Sequence, residues 1–204
     1  WIAAAEWPMI VTSHLGRNVA AVATLAELAE KHAIPVAQAG ATCVNLPASH
    51  PFNLGQAGGA LLEKADVIVI VDSEVPWFPR DFTPKQSVRV VHLGADPLYE
   101  RYPIRSFPTD LAVPGNTLAA LEILTAELAA QKSAAAALAR RRAAVAEFQA
   151  ERRARAAAQL ATAKTAKPIS YAYVGDCVRQ VLPKNGIVVT ELGASADQDR
   201  KSNV

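Results

Sequence analysis

The chain has 204 residues, of which 51% are apolar and 20% are charged, so it can bury one substantial core and part of a second. The net charge of +2 is unevenly placed, because residues 134–167 carry eight Arg or Lys and only two Glu. A basic excess confined to one helix-forming stretch argues against a nucleic-acid partner. No apolar run reaches the ~20 residues that span a bilayer, and no signal peptide precedes the first predicted strand, so we expect no membrane contact and a cytoplasmic location.

The cysteines and the chain ends give two further expectations. Cys43 and Cys177 are far apart and neither lies in a CxxC or Cys/His spacing, so no disulfide framework and no zinc site is predicted. The chain opens without an initiator methionine and closes directly after what reads as the first strand of another domain. We therefore expect both ends to be cut from a longer chain.

The first predicted unit is a strand, a glycine turn and a helix. The apolar run Pro8–Ser13 is followed by a turn containing Gly16 and then by Val19–Lys31, whose apolar residues have helical spacing. The first amides of such a helix can hold an anion, which makes Gly16, Arg17 and Asn18 candidate nucleotide-binding residues. In the alternative interpretation the glycine only makes the turn and the asparagine only caps the helix, since no GxGxxG is present.

The central strand is the strongest signal in the chain. Ile34–Ala39 reads as a second strand and Gly40–Gly59 as a long loop at its carboxyl end, where parallel sheets build their sites. A short helix, Ala57–Lys64, then leads to Val67–Asp72, a continuous β-branched run typical of a strand buried on both faces. We predict an α/β fold, a parallel sheet with helices on both faces.

A proline-rich segment, Glu74–Lys85, follows the central strand and can continue neither as strand nor as helix. It carries three aromatic residues, Trp77, Phe78 and Phe82. We expect these rings to pack on a neighbouring subunit or domain, with a ligand as the alternative.

The next predicted strand, Ser87–Leu93, ends just before Asp96. In nucleotide-binding α/β domains an acid at this place can accept a hydrogen bond from a ribose hydroxyl, so Asp96 is a further candidate. Thr109–Val113, bounded by prolines, reads as an edge strand. A leucine-rich helix after Asn116 then completes a first domain over residues 1–131.

The last third of the chain divides into two predicted segments. Residues 132–167 form a linking helix rich in Ala and Arg, whose Arg140–Arg142 cluster we interpret as a solvated face, with RNA binding as the weaker alternative. Residues 168–204 contain a predicted helix, Tyr171–Leu182, and a strand, Ile187–Glu191. They read as the incomplete start of a further domain.

Residues that could perform catalysis are sparse. None of the four histidines lies in a nucleophile–base motif, and the chain contains no HxxxH, no paired acidic metal motif and no P-loop. We therefore predict no catalytic residue and no metal ligand here. The chemistry indicates a scaffold or a nucleotide-binding module.

Five segments in order carry a family resemblance: Pro8–Val11, Ala29–Val36, Pro47–Pro51 with Leu54-Gly55, Ala65–Ile70 and Val91–Pro97. Together they resemble the central domain of thiamine-diphosphate-dependent enzymes of the acetolactate synthase type. Two later segments, Pro168–Ser170 and Leu182–Val189, resemble the opening of that family's diphosphate-binding domain.

The resemblance implies a six-stranded, Rossmann-like central domain of a parent enzyme, a lyase or transferase that decarboxylates a 2-oxo acid and passes the product to an acceptor. In that family a glutamate of one domain activates thiamine diphosphate and a Gly-Asp-Gly…Asn motif of another holds Mg²⁺, and neither lies within these residues. The resemblance therefore implies an inactive fragment whose partners are the missing domains of its own chain. It also implies a homo-oligomeric parent, a dimer or tetramer.

Some family members bind FAD in this domain, but here Asp72 and Glu74 would lie near the flavin diphosphate, which is unfavourable at short range. We therefore expect the FAD site to be lost and the domain to be structural or a vestigial nucleotide-binding domain. Gly16, Arg17, Asn18 and Asp96 are the residues that any remaining nucleotide would contact. The alternative is a free-standing module that binds FAD or ADP.

Overall fold

The computed structural model describes residues 1–56, 59–105, 107–131, 134–183 and 185–188. Its six strands are β1 (Pro8–Thr12), β2 (Val36–Gln38), β3 (Asn53–Gln56), β4 (Val67–Val71), β5 (Arg89–Gly94) and β6 (Leu111–Pro114). Its helices are α1 (Val19–His32), α2 (Thr117–Ala130), α3 (Ala135–Ala163) and α4 (Tyr171–Val181), with short 3₁₀ helices at Leu15–Arg17 and Gly59–Lys64. None of the helices in these ranges is long and apolar enough to cross a membrane.

The chain separates into two compact units. The first comprises Trp1–Leu46 and His50–Val145, and it contains the whole sheet together with α1, α2 and the start of α3. The second comprises Pro47–Ser49 and Ala146–Val204, and its described part contains the remainder of α3 and all of α4. The division of the sequence into residues 1–131, 132–167 and 168–204 stays a prediction.

The sheet has the strand order β3-β2-β1-β4-β5-β6, and every neighbouring pair is parallel. β4 is entirely buried and pairs with β1 on one side and with β5 on the other. Its first residue, Val67, lies opposite Pro8 of β1 and Arg89 of β5. Its five β-branched residues suit a strand that is covered on both faces. This confirms the predicted α/β, Rossmann-like fold and the central place of the β-branched run.

The two faces of the sheet are covered differently. α1 and α2 pack against each other on one face, where Leu25, Leu28 and Leu121 are fully buried. Right-handed crossovers place the β4–β5 and β5–β6 connections on the opposite face. In the described residues these two connections contain no helix.

Two predicted elements differ from the structure. β3 lies inside the segment that we predicted to be a loop, Gly40–Gly59, so that prediction was wrong at this point. Its four residues contain no β-branched side chain, and it forms a strand because it pairs with β2 and buries Leu54. Of the strand predicted at Ile187–Glu191, the first two residues are described without strand geometry and the rest lies outside the described residues.

The arginines at the start of α3 were predicted to be a solvated face, and for Arg141 this was wrong. Its side chain is only 2% exposed. Nε donates to the carbonyl oxygen of Glu6 at 2.8 Å, Nη1 to that of His32 at 3.2 Å, and Nη2 to that of Ala5. The last carbonyls of a helix have no partner within the helix, and a cation beside the C-terminus of α1 also favours its dipole. Arg141 therefore joins the N-terminal segment to α1.

Arg142 extends this contact. Its Nη2 donates to the carbonyl oxygens of Glu30 at 2.9 Å and Lys31 at 3.3 Å, and its guanidinium lies 6.0 Å from the ring centroid of Phe52. The first turns of α3 thus contribute to the first unit by capping α1. A charge pattern cannot reveal such a contact, because its acceptors are backbone carbonyls more than 100 residues away.

The second unit has one buried acid in its described part. Asp176 on α4 accepts from Arg179 Nη2 at 2.6 Å and from Gln180 Nε2 at 2.8 Å, and Lys164 Nζ lies 3.9 Å away. The hydrogen bond from Arg179 lowers the pKa of this carboxyl below its ordinary value. The group holds α4 together through contacts three and four residues apart.

We expect Arg141→Met to lower the free energy of unfolding by about 3 kcal/mol, because the variant leaves buried carbonyl groups without donors. Arg140→Met is the matched control, since Arg140 is exposed and its only described ion pair, with Glu6, has an N–O distance of 3.4 Å. The control should lose no more than about 0.5 kcal/mol. Urea unfolding followed by circular dichroism measures both, and equal losses would contradict the capping role.

Candidate functional site

The sheet has a topological switch point between β1 and β4. From these neighbouring strands the chain leaves in opposite directions, to β2 on one side and to β5 on the other, so a crevice forms at their carboxyl ends. The turn after β1 places Gly16, Arg17 and Asn18 together at this crevice. Asp96 follows β5, one strand further along the sheet.

The loop after β2 closes over the glycine turn. The backbone N–H of Gly16 donates to Asn45 Oδ1 at 3.0 Å, and a Cβ on Gly16 would overlap the carbonyl oxygen of Val44. His14 Nδ1 is also bonded to this loop, at 2.7 Å from Thr42 Oγ1. The space above the turn is therefore filled by the chain's own backbone.

Asn45 is the centre of this closure, and its side chain is fully buried. Its Nδ2 donates to the carbonyl oxygen of Ser13 at 2.9 Å and lies 3.3 Å from Gln38 Oε1. Gln38 Nε2 in turn donates to Asn53 Oδ1 at 3.1 Å, and Asn53 Nδ2 donates to the carbonyl oxygen of Leu46 at 2.9 Å. Three buried amides thus fix the loop to the residue after β1, to the last residue of β2 and to the first residue of β3.

These three amides were not among the residues predicted from the sequence to form a site. The available signal was an amide within each of two short apolar segments, Gln38 and Asn53, with Asn45 between them. Such a pattern is common in solvated loops, and only the strand pairing brings the three side chains together.

Arg17 and Asn18 are both exposed. Asn18 Oδ1 accepts from the N–H of Ala20 at 3.1 Å, so it caps α1, and the N–H of Arg17 donates to the carbonyl oxygen of His14 at 3.1 Å. Four of the amides that an anion would need here, those of His14, Gly16, Arg17 and Ala20, are engaged within the protein. A nucleotide-binding role for these residues stays a prediction.

The other side of the crevice is acidic. Asp72 follows β4 with a positive φ of 45°, and its Oδ2 accepts from Thr117 Oγ1 at 2.7 Å. A Cβ on Gly94, whose φ is 155°, would overlap the Asp72 carboxylate, so glycine is required at the end of β5. Glu74 lies with its Oε1 3.9 Å from His14 Nε2.

Arg105 links the loop between β5 and β6 to the loop after β4. Nε donates to the carbonyl oxygen of Glu74 at 3.1 Å, and the guanidinium lies over the rings of Tyr99 at 4.9 Å and Phe107 at 5.1 Å. Burial, with the charges of Glu74 and Asp72, raises the pKa of Tyr99 to about 12. The hydrogen bond between Tyr102 and Glu74 likewise raises the pKa of Tyr102.

Trp77 is buried within its own unit, whereas we expected its ring to pack on a neighbouring subunit or domain. Its side chain is 6% exposed and packs edge-on against Phe82 at 5.4 Å and Phe107 at 5.6 Å. The ring therefore contributes to the core of its own unit and is not available to a neighbouring subunit. Within this loop Phe78 is 65% exposed and Phe82 is half-buried.

His92 is buried on β5 beside this aromatic cluster. Its Nε2 donates to the carbonyl oxygen of Pro108 at 3.0 Å, which leaves Nδ1 to accept from Arg105 Nη2 at 3.4 Å. Burial is the main cause that lowers the pKa of His92 below 6.5, and the Arg105 charge adds to the effect. The neutral imidazole joins β5 to the loop that precedes β6.

Asp96 is exposed and begins a turn, where Oδ1 accepts from the N–H of Glu100 at 3.3 Å. A small cavity close by is lined by Asp72, Ser73, Asp96 and Tyr99, among others. The role predicted for Asp96, as an acceptor from a ribose hydroxyl, stays a prediction. Among the described residues, no group of three His, Cys, Asp or Glu could hold a metal ion.

These features define a Rossmann-like domain in which the chain's own loop fills the crevice. A sequence model of the thiamine pyrophosphate enzyme family, central domain, matches residues 1–124. Because the match covers more than half of the chain, the chain belongs to the thiamine pyrophosphate enzyme family. No curated protein sequence matches it.

A solved structure supports the fold. The X-ray structure of a candidate thiamin diphosphate-dependent enzyme isolated from Mycobacterium smegmatis matches with a TM-score of 0.57 and 20% sequence identity. The match covers 90% of this chain and 34% of the other, so this chain spans about a third of the length of that protein. At this identity the likeness concerns the fold.

We expect Gly16→Ala to lower the free energy of unfolding by about 2 kcal/mol, because the new methyl group has to displace the backbone of Val44. Gly115→Ala is the matched control, since a Cβ there meets nothing within 4 Å. The control should change the stability by less than about 0.5 kcal/mol. If urea unfolding gave the same result for both variants, the loop would not be packed on the turn.

We expect the free energy of unfolding to fall as the pH is lowered from 7.5 to 5.5. Burial lowers the pKa values of His32, His50 and His92 from 6.5 in the folded protein, so below that pH the unfolded chain binds more protons. Urea unfolding across this range gives the slope, and His92→Gln should reduce it. A slope that is zero, or unchanged in the variant, would be the contrary result.

Proposed function

We propose that this chain is the central domain of a thiamine-diphosphate-dependent enzyme that resembles acetolactate synthase, a 2-oxo acid decarboxylase and carboligase of the lyase or transferase class. The family match over residues 1–124 is the observation that carries the proposal. The resemblance of five segments in the right order to the acetolactate synthase type supports the finer assignment.

Within that parent, the domain has a structural role and does not bind FAD. A flavin diphosphate needs free amide donors and room at the first glycine turn. Here the N–H of Gly16 is bonded to Asn45, Val44 lies over the turn, and Asp72 and Glu74 add negative charge on the opposite side. Each of these contacts opposes the binding of a dianionic diphosphate.

Thiamine diphosphate, which the family implies, supplies the chemistry of decarboxylation when bound. The described residues do not fit a magnesium-bound diphosphate, because they contain no group of three ligating side chains. We therefore assign the cofactor and Mg²⁺ to other domains of the parent and derive no catalytic step from this chain. The chain alone is proposed to be inactive, and the parent to be a cytoplasmic homo-oligomer, a dimer or tetramer, without a nucleic-acid partner.

Calorimetric titration of the purified chain tests this role directly. FAD, ADP and thiamine diphosphate are added in turn with Mg²⁺ present, and circular dichroism verifies that the chain is folded. We expect no binding heat with any of the three, and no consumption of pyruvate in a parallel assay.

Binding of FAD or ADP would instead support the alternative, a free-standing nucleotide-binding module. In that case Asp96→Asn would weaken binding if the ribose lies at Asp96. Binding of thiamine diphosphate, or turnover of pyruvate, would overturn the assignment of the cofactor to other domains.

A further inference from the structure

A cleft of about 550 Å³ lies at the amino edge of the sheet, at the opposite end of the strands from the crevice. One wall is the segment that leads into β4, residues 62–65. The other wall is the end of the proline-rich loop that leads into β5, residues 81–85 and Val88. Its volume falls within the ~300–1,000 Å³ that is usual for small-molecule sites.

The floor of the cleft is apolar. Leu62 and Ala65 are buried, and Phe82 and Val88 are half-buried beside them. The ring of Phe82 also makes an edge-on contact with the buried ring of Trp77. The floor therefore offers a preformed surface for an aromatic ring or a short hydrocarbon chain.

The rim carries two lysines and two acids, and the net charge is +1 when Arg80, which is paired with one of the acids, is counted with them. Lys64 and Lys85 line the cleft and are exposed, and among the described residues neither takes part in an ion pair. Of the two acids on the rim, Asp81 is paired with Arg80 at 2.9 Å, which leaves Glu63 against two ammonium groups. Such a rim favours an anionic group over a neutral or cationic one.

We propose that this cleft binds a small organic acid, with its apolar ring or chain on the floor and its single carboxylate facing Lys64 and Lys85. The site is separate from the switch-point crevice, and it does not depend on the function proposed above. An acid of this kind combines an apolar body that suits the floor with a charge that suits the rim.

Three probes that share a phenylalkyl body and differ in charge test the proposal: 4-phenylbutyrate, 4-phenylbutanol and 4-phenylbutylammonium. Each is titrated into the ¹⁵N-labelled full chain, and the amide signals of Lys64, Ala65 and Lys85 are followed by NMR. We expect saturable shifts with 4-phenylbutyrate, binding about threefold weaker for the alcohol, and the weakest binding for the ammonium compound.

Lysine variants separate charge recognition from simple apolar binding. Lys64→Gln and Lys85→Gln should each weaken 4-phenylbutyrate binding about threefold while leaving the alcohol unchanged. Lys31→Gln, on α1, is the matched control and should alter neither. Equal affinity for the three probes, shifts located away from the cleft, or the absence of saturation would each overturn the proposal.

Discussion

The buried amide of Asn45 is the interaction on which the carboxyl edge of this domain depends. It accepts from the turn after β1, through the N–H of Gly16, and donates to the carbonyl oxygen of Ser13 at the end of the same strand. A buried amide without partners costs about 1–3 kcal/mol for each group, so the side chain can be buried only when the loop is closed over the turn. Closure of the loop and burial of Asn45 are therefore one event.

On the opposite side of the crevice, polar groups are likewise bonded to one another within the protein. Arg105 holds the carbonyl oxygens of Ser73 and Glu74 and lies between aromatic rings, while Thr117 holds the carboxylate of Asp72. Polar groups that could serve a ligand in an open crevice are here bonded to one another, and this supports the structural role that we propose.

Much of the regular structure could be predicted from local sequence. The β-branched run of β4, the apolar periodicity of α1 and the caps at Asn18 and Asn116 all act within a few residues, and each was found where the pattern indicated. The strand β3 was missed because its four residues carry no strand preference of their own. It forms because β2 supplies hydrogen bonds and the interior accepts Leu54.

The site was harder to predict because its surroundings, like β3, depend on residues that are distant in the sequence. The candidates Gly16, Arg17 and Asn18 lie in the turn after β1, yet what surrounds them comes from residues 42–46, which sequence periodicity does not connect to that turn. The burial of Arg141 also arises from distant partners, since its acceptors lie near the N-terminus and at the end of α1. Contacts of this kind follow from topology and not from composition.

The most direct test of the closed crevice is amide hydrogen exchange at Gly16, measured by NMR on the full chain without ligand. We expect this amide to be protected as strongly as the amides of β1, because it donates to a buried acceptor. We also expect Asn45→Ala to remove that protection while the amides of β4 stay protected. If the Gly16 amide exchanged as fast as an open loop, and became protected only when ADP was added, the crevice would be a working nucleotide site and the structural role would be contradicted.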